Sequence, residues 1–201
     1  MAHYFTNDDT EHDFREIEYE HAGKKYRFTT DRGIFSRERI DFGSRVLIDA
    51  VIADYNGRIN DGFIDMGAGY GPIGIIAGDI LGMKPIMVEV NEDAFRLCSR
   101  NAAANDVRAE VLTRAEYDAD DAFMNVELYV TNPPFRAGKK VVIDIIDDAT
   151  EKLSEGGVFY MVVQKKQGMP SYKKAMEESF GNAASIRNEK GYHVLKGVKN
   201  Y

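Results

Sequence analysis

The chain has 201 residues, of which 44% are hydrophobic and 29% charged, with a net charge of −7. That composition suits one globular domain with a full core and is short for two. A single cysteine excludes an internal disulfide and a cysteine-built metal site, and no apolar run approaches the ~20 residues that cross a bilayer. The polar, acidic start MAHYFTNDDTEHDF is unlike a signal peptide, so a reducing cytoplasm is the expected compartment.

Residues 15–20 (REIEYE) and 24–29 (KKYRFT) alternate polar and apolar about His21-Ala22-Gly23, which predicts a β-hairpin. A helix is expected from Asp41 or Gly43 to Tyr55, on the apolar positions Val46, Leu47, Ala50 and Val51. Strand-like runs follow at Gly62–Met66, Pro85–Val90, Ala109–Leu112, Val126–Thr131 and Val158–Val163. Helical patterns separate them at Ile73–Leu81, Glu92–Asn105, Lys139–Leu153 and Ser171–Phe180. Cys98 falls on the second of these and reads as an inert core thiol. Two short strands, Ala184–Arg187 and Tyr192–Lys196, close the chain about Lys190-Gly191. Strands alternating with helices predict a parallel sheet covered on both faces. The expectation is one α/β domain over 1–201, doubly wound and Rossmann-like. Its seven-stranded, mostly parallel sheet carries an antiparallel C-terminal edge hairpin, and residues 1–35 form an extension with a short N-terminal β-hairpin.

The stretch FIDMGAGYGPIG joins a buried strand to a helix. Gly67, Gly69 and Gly71 permit a tight turn and let a ligand approach the backbone near a helix N-terminus. The spacing is G-x-G-x-G behind Asp65, and Pro72 stands where the dinucleotide fingerprint needs its third glycine. Proline suits the first turn of a helix, where its missing N–H has no partner to lose. Glu89 ends the next strand, where a carboxylate can accept hydrogen bonds from both hydroxyls of a ribose. The stretch TNPPF, Thr131–Phe135, stops a buried strand, because two prolines cannot donate to a sheet ladder. It leaves a carboxamide, two carbonyls and a phenyl ring on a rigid corner. Basic charge begins there. Residues 1–131 hold 14 Lys and Arg against 25 Asp and Glu, whereas residues 132–201 hold 12 against 8.

Asp65–Gly71, Glu89 and Asn132–Phe135 together resemble the class I S-adenosylmethionine-dependent methyltransferases that modify amines. More narrowly, the chain is similar to the small-subunit ribosomal RNA guanine-N2 methyltransferases of the RsmC type, in their single-domain form. The likeness extends from about Phe28 onward through GIFSRERIDFGSRVL, NPPFRAGKK, MVVQKKQG and KGYHVLK. The resemblance implies S-adenosylmethionine as cofactor, held by Asp65, Gly67, Ala68, Gly69, Gly71, Glu89, Val90 and Asn132. It implies small-subunit rRNA or a ribosomal particle as partner, and no membrane or metal. Two positions depart from the family's pattern. Arg136 stands where histidine is usual, and Thr113-Arg114-Ala115 stand where Ser-Asp often follows the third strand, so the adenine contact is left unassigned.

An exocyclic purine amine is a poor nucleophile because its lone pair is delocalised into the ring. In the implied mechanism the Asn132 carboxamide oxygen and the Pro133 carbonyl accept its two N–H bonds, and Phe135 stacks on the base. Asn132, Pro133 and Phe135 are therefore the expected catalytic residues. Pro134, Arg136, Lys139, Lys140, Lys165 and Lys166 are the expected substrate contacts, although Gln164-Lys165-Lys166-Gln167 reads equally as an exposed strand end. Arg37 and Arg39 divide between RNA contact and helix-entry ion pairs. The four histidines, His3, His12, His21 and His193, are scattered and read as surface or hairpin residues, and Asp118–Asp121 as a solvated loop. Two other functions compete: methylation of a protein glutamine amide, and a non-catalytic cofactor- or RNA-binding scaffold. The first usually shows tyrosine in place of Phe135, and the second would be expected to lose Asp65, Glu89 or Asn132.

Overall fold

A computed structural model describes residues 12–33, 38–57 and 62–200. His3, Arg37 and most of the acidic N-terminus lie outside the described residues. Strands β1 (Arg15–His21) and β2 (Lys24–Thr30) form the expected hairpin about Ala22 and Gly23, both at positive φ. Ile17, Tyr26 and Phe28 turn one face of it into the core.

Helix α1 (Phe42–Asp54) is capped by Asp41, whose side chain accepts from the Ser44 N–H. Strand β3 (Phe63–Met66) leads through the glycine turn into α2 (Pro72–Leu81), and β4 (Pro85–Glu89) into α3 (Glu92–Ala104). A Cβ at Gly74 would come within 2.7 Å of Met87 Sδ, so α2 lies unusually close to β4. Strand β5 (Glu110–Thr113) is followed by a short helix α4 (Arg114–Asp118), and β6 (Val126–Thr131) runs to the proline corner. Then come α5 (Lys139–Lys152), β7 (Leu153–Gln164), α6 (Met169–Phe180) and the closing pair β8 (Ala184–Glu189) and β9 (Tyr192–Val198).

The main sheet has seven strands in the order β5-β4-β3-β6-β7-β9-β8, with β9 antiparallel to both its neighbours and the other pairs parallel. Alternate strand residues serve opposite cores, as a period of two requires. Phe63, Met87, Leu128, Val130, Tyr160 and Val162 meet α1, α2, α3 and the hairpin. Ile64, Val88, Tyr129, Phe159 and Met161 meet α4, α5 and α6. The strand order reverses between β3 and β6, and open α/β sheets bind ligands at the carboxyl ends of the strands flanking such a point.

Two strand and helix starts and one extra helix differ from expectation for identifiable reasons, and the other boundaries shift by one or two residues. Strand β7 begins at Leu153 rather than Val158, because the Gly156 N–H and the Gly157 carbonyl both pair with Lys199 backbone and keep the bulged segment in the sheet. Helix α6 starts at Met169, with Gly168 in the left-handed region and Pro170 in the first turn. Helix α4 was not expected; it is five residues long, too short to show a period.

Candidate active site

The glycine turn divides into two kinds of position. Gly67 and Gly69 have φ of 74° and 60°, and a Cβ at either would meet nothing within 4 Å, so both border open space. Gly71, at φ 96°, is buried, and a Cβ there would come within 2.9 Å of Ile75 and 3.0 Å of the Cys98 sulfur. Ala68 is buried too. Its N–H donates to the Val88 carbonyl and its own carbonyl accepts from Gly71 N–H. Gly67 and Gly69 thus face the opening, whereas Ala68 and Gly71 shape the turn from inside. Cys98 is fully buried, and burial pushes its thiol up, as an inert core residue requires.

Asp65 is completely buried beneath this turn. One oxygen accepts the Gly74 N–H at 2.8 Å; the other, Oδ1, has no hydrogen-bond partner among the described residues. Burial raises its pKa to about 7, opposed by the Gly74 N–H and reinforced by the charge of Glu89. An orphaned buried carboxylate oxygen leaves a place for a donor or a cation. Glu89 is buried as well, with Oε2 accepting from Gly69 N–H at 2.7 Å and Oε1 from Val90 and Asn91 N–H at 2.8 and 2.9 Å. A carboxylate offers about four acceptor positions. Taking both hydroxyls of a ribose therefore requires the release of one backbone donor. Val90 beside it is 49% exposed, an apolar surface at the mouth of the cleft. The orphaned Asp65 oxygen, the open space over Gly67 and Gly69, and the Glu89–Val90 edge fit a ligand with a cationic group, a ribose and an apolar ring.

At the third position, Thr113 caps α4 in a reciprocal pair with Glu116, and Arg114 is held by Asp118 and Asp148. Those side chains are committed to the short helix, which is where the departure from the family's pattern goes.

The proline corner stands at the end of β6, tied to β3 by the Thr131 hydroxyl donating to the Met66 carbonyl at 2.8 Å. Pro133 is buried, and its carbonyl accepts the Phe135 N–H at 2.9 Å across Pro134, whose φ of −77° and ψ of 75° make an inverse γ-turn. One lone pair of that carbonyl is thereby used inside the corner. Phe135 is half-buried, tilted against the Tyr172 ring with centroids 5.5 Å apart. Asn132 is also half-buried, and its Nδ2 donates to Ser44 Oγ at 3.0 Å and to Asp41 Oδ1 at 3.3 Å. Sequence reasoning missed both partners. The available signal was the Asp41–Ser44 cap at the helix start, inside the DFGS stretch.

Arg136, Lys139, Lys140, Lys165 and Lys166 are all exposed. They follow the C-terminal ends of β6 and β7, which pair in parallel, so they share the edge that carries the corner. Lys140 pairs with Asp144 at 2.7 Å, whereas Gln164 and Gln167 satisfy each other in a local cap. Arg39 is exposed; His12 pairs with Asp31 at 2.5 Å and His193 with Ser185 at 3.1 Å. Among the described residues no group of three acidic, histidine or cysteine side chains could hold a metal, and no helix is long and apolar enough to cross a membrane.

The family model for the methyltransferase small domain matches residues 25–196. Uncharacterized protein YbxB of Bacillus subtilis is 39% identical over 183 residues, covering 88% of this chain and 87% of that protein. Ribosomal RNA large subunit methyltransferase G of Yersinia enterocolitica is 26% identical over 194 residues, covering 91% of this chain but 46% of that enzyme. Among solved structures, the T. thermophilus 16S rRNA N2 G1207 methyltransferase (RsmC), in complex with AdoMet and guanosine, superposes with a TM-score of 0.81 at 26% identity. That match covers 93% of this chain and 51% of the enzyme, so the chain spans about half the length of both rRNA methyltransferases.

Proposed function

The chain belongs to the methyltransferase small domain family, is a class I S-adenosylmethionine-dependent enzyme of the RsmC type, and, we propose, methylates guanine N2 in small-subunit ribosomal RNA. One observation carries the choice of an exocyclic amine: the Asn132 carboxamide is held by its nitrogen, on Ser44 and Asp41, which leaves its oxygen as a fixed acceptor. When bound, S-adenosylmethionine would supply an electrophilic methyl group and would itself take up the electron pair released on transfer. Asp65, Gly67, Gly69, Glu89 and Val90 would hold that cofactor. Asn132 Oδ1 and the free lone pair of the Pro133 carbonyl accept the amine N–H bonds and turn its lone pair out of the ring plane. Phe135, braced by Tyr172, fixes the plane of the base. No strong base is needed, because the methylated amine is acidic enough to lose its proton to water.

Arg136, Lys139, Lys140, Lys165 and Lys166 give this edge the positive field that phosphate requires, even though the whole chain is acidic. The likeness to a small-subunit enzyme solved with guanosine supports guanine N2, and the likeness to a large-subunit methyltransferase makes the subunit the point to test. Mass spectrometry of nucleosides from each ribosomal subunit, in cells with and without the gene, decides it. The proposal expects 2-methylguanosine to fall in the small subunit alone. An unchanged level there rejects it, and a loss confined to the large subunit moves the target.

A further inference from the structure

The side-chain amide of Asn132 can enter its site in two ways, and only one presents oxygen to an amine. Its Nδ2 faces Asp41 Oδ1 at 3.3 Å and Ser44 Oγ at 3.0 Å. A hydroxyl can donate or accept, so Ser44 alone would tolerate either orientation. A carboxylate only accepts, so turning the amide over would set Asn132 Oδ1 against the Asp41 oxygen. Asp41 therefore decides the polarity and Ser44 follows. The deciding oxygen is itself fixed, because it accepts the Ser44 N–H at 2.9 Å as the cap of α1. Space for it depends on Gly43, where an added Cβ would lie 3.2 Å from that oxygen and 2.9 Å from Tyr192. These groups come together from positions 88 and 91 residues apart in the chain.

We propose that Asp41 and Ser44 are positioning residues for methyl transfer, fixing the Asn132 oxygen toward the substrate amine, with the Asp41 charge strengthening that oxygen as an acceptor. This rests on the amine-transfer reading above. The amine nitrogen gains positive charge as its new bond to carbon forms, and its proton leaves to water. An amide that donates to a carboxylate is polarised, and its oxygen attracts that growing charge more strongly. The contribution therefore grows toward the transition state and acts on turnover rather than on substrate binding.

The test uses the full chain with Ser44→Ala and Asp41→Asn, because asparagine caps a helix as well as aspartate and keeps an acceptor oxygen. The placement is read without substrate, from solvent exchange of the Asn132 side-chain amide protons in the nitrogen-15-labelled protein. Those protons are expected to be protected in the wild type and in Asp41→Asn, and to exchange faster in Ser44→Ala. Single-turnover transfer to ribosomal RNA should slow about three- to ten-fold in Ser44→Ala, the factor that a neutral hydrogen bond carries, and about ten-fold in Asp41→Asn, the difference between a charged and a neutral one. KM for RNA, cofactor affinity and melting temperature should hold in Asp41→Asn. Wild-type rates in both variants would overturn the proposal, as would an Asn132 amide that exchanges as freely as a surface asparagine. Protected amide protons in a wild type that methylates no RNA would instead reject the substrate reading and leave the placement standing.

Discussion

The buried carboxylate of Asp65 makes the proposed cofactor site sensitive to pH. Burial raises its pKa from 3.8 to about 7, so between those values the folded chain holds a proton that the unfolded chain has released. Its contribution to stability therefore falls as pH rises across that window and is flat above it. A cationic group of the cofactor needs the ionised form, so affinity should rise with pH and level off above about 7. Calorimetry should find binding about ten-fold weaker at pH 6 than at pH 8, and Asp65→Asn should abolish that difference. A wild-type affinity independent of pH would remove the carboxylate from the site. The glycines make a separate prediction at the same scale. Gly71→Ala meets Ile75 and Cys98 and should cost about 1–3 kcal/mol of stability by overpacking. Gly67→Val, bordering open space at φ 74°, should lose cofactor affinity as well. Denaturant melts and calorimetry on both variants would separate packing from binding; equal loss of affinity would merge the two roles.

The N-terminal hairpin shows how one element is held by another without a shared sheet. Asn101 on α3 accepts the Thr29 N–H at 2.7 Å and donates to the Thr29 and Tyr70 carbonyls at 3.0 and 2.8 Å. Asn105, one turn on, repeats the pattern with the Arg27 N–H and carbonyl. Two carboxamides, one in the last turns of α3 and one capping its end, thus complete the outer edge of β2 where another strand would otherwise pair. Asn101→Ala leaves buried backbone groups without partners, each costing about 1–3 kcal/mol. Hydrogen exchange should show β2 losing protection before the main sheet does, and simultaneous loss throughout would make the hairpin part of one cooperative unit. None of this was readable from the sequence, since the partners stand 72 and 78 residues apart. The alternating hairpin strands, the apolar face of α1 and the β-α alternation were readable, because periodicity is local. The start of β7 was hidden because its pairing across Gly156 and Gly157 depends on Lys199, at the far end of the chain. The site followed the same division. Asp65, Glu89 and Asn132 stand at or next to strand ends and were legible from their positions, whereas Asp41 and Ser44 reach Asn132 only through the tertiary fold.

At the scale of the whole molecule, the glycine turn, Glu89 and the proline corner all sit at the carboxyl ends of β3, β4 and β6, about the point where strand order reverses. The exposed basic residues extend the same edge beyond β6 and β7, so the proposed cofactor residues and the proposed substrate residues follow different strands of one sheet. Neutralising Lys139, Lys140, Lys165 and Lys166 should leave cofactor affinity intact and flatten the salt dependence of RNA binding. The slope should change by about 0.7 for each single-strand phosphate that a lysine no longer neutralises, and an unaltered slope would return these lysines to ordinary solvated surface. The corner at Asn132 is proposed to activate a guanine amine. The most direct measurement is single-turnover methyl transfer to purified small-subunit ribosomal RNA, followed by mass spectrometry, for the wild type and Asn132→Ala at equal cofactor occupancy. The wild type is expected to form 2-methylguanosine and Asn132→Ala to do so about 10²–10³-fold more slowly, the loss typical of removing one preorganised hydrogen bond to developing charge. Wild-type rates in Asn132→Ala, or a wild type that forms no 2-methylguanosine, would contradict it.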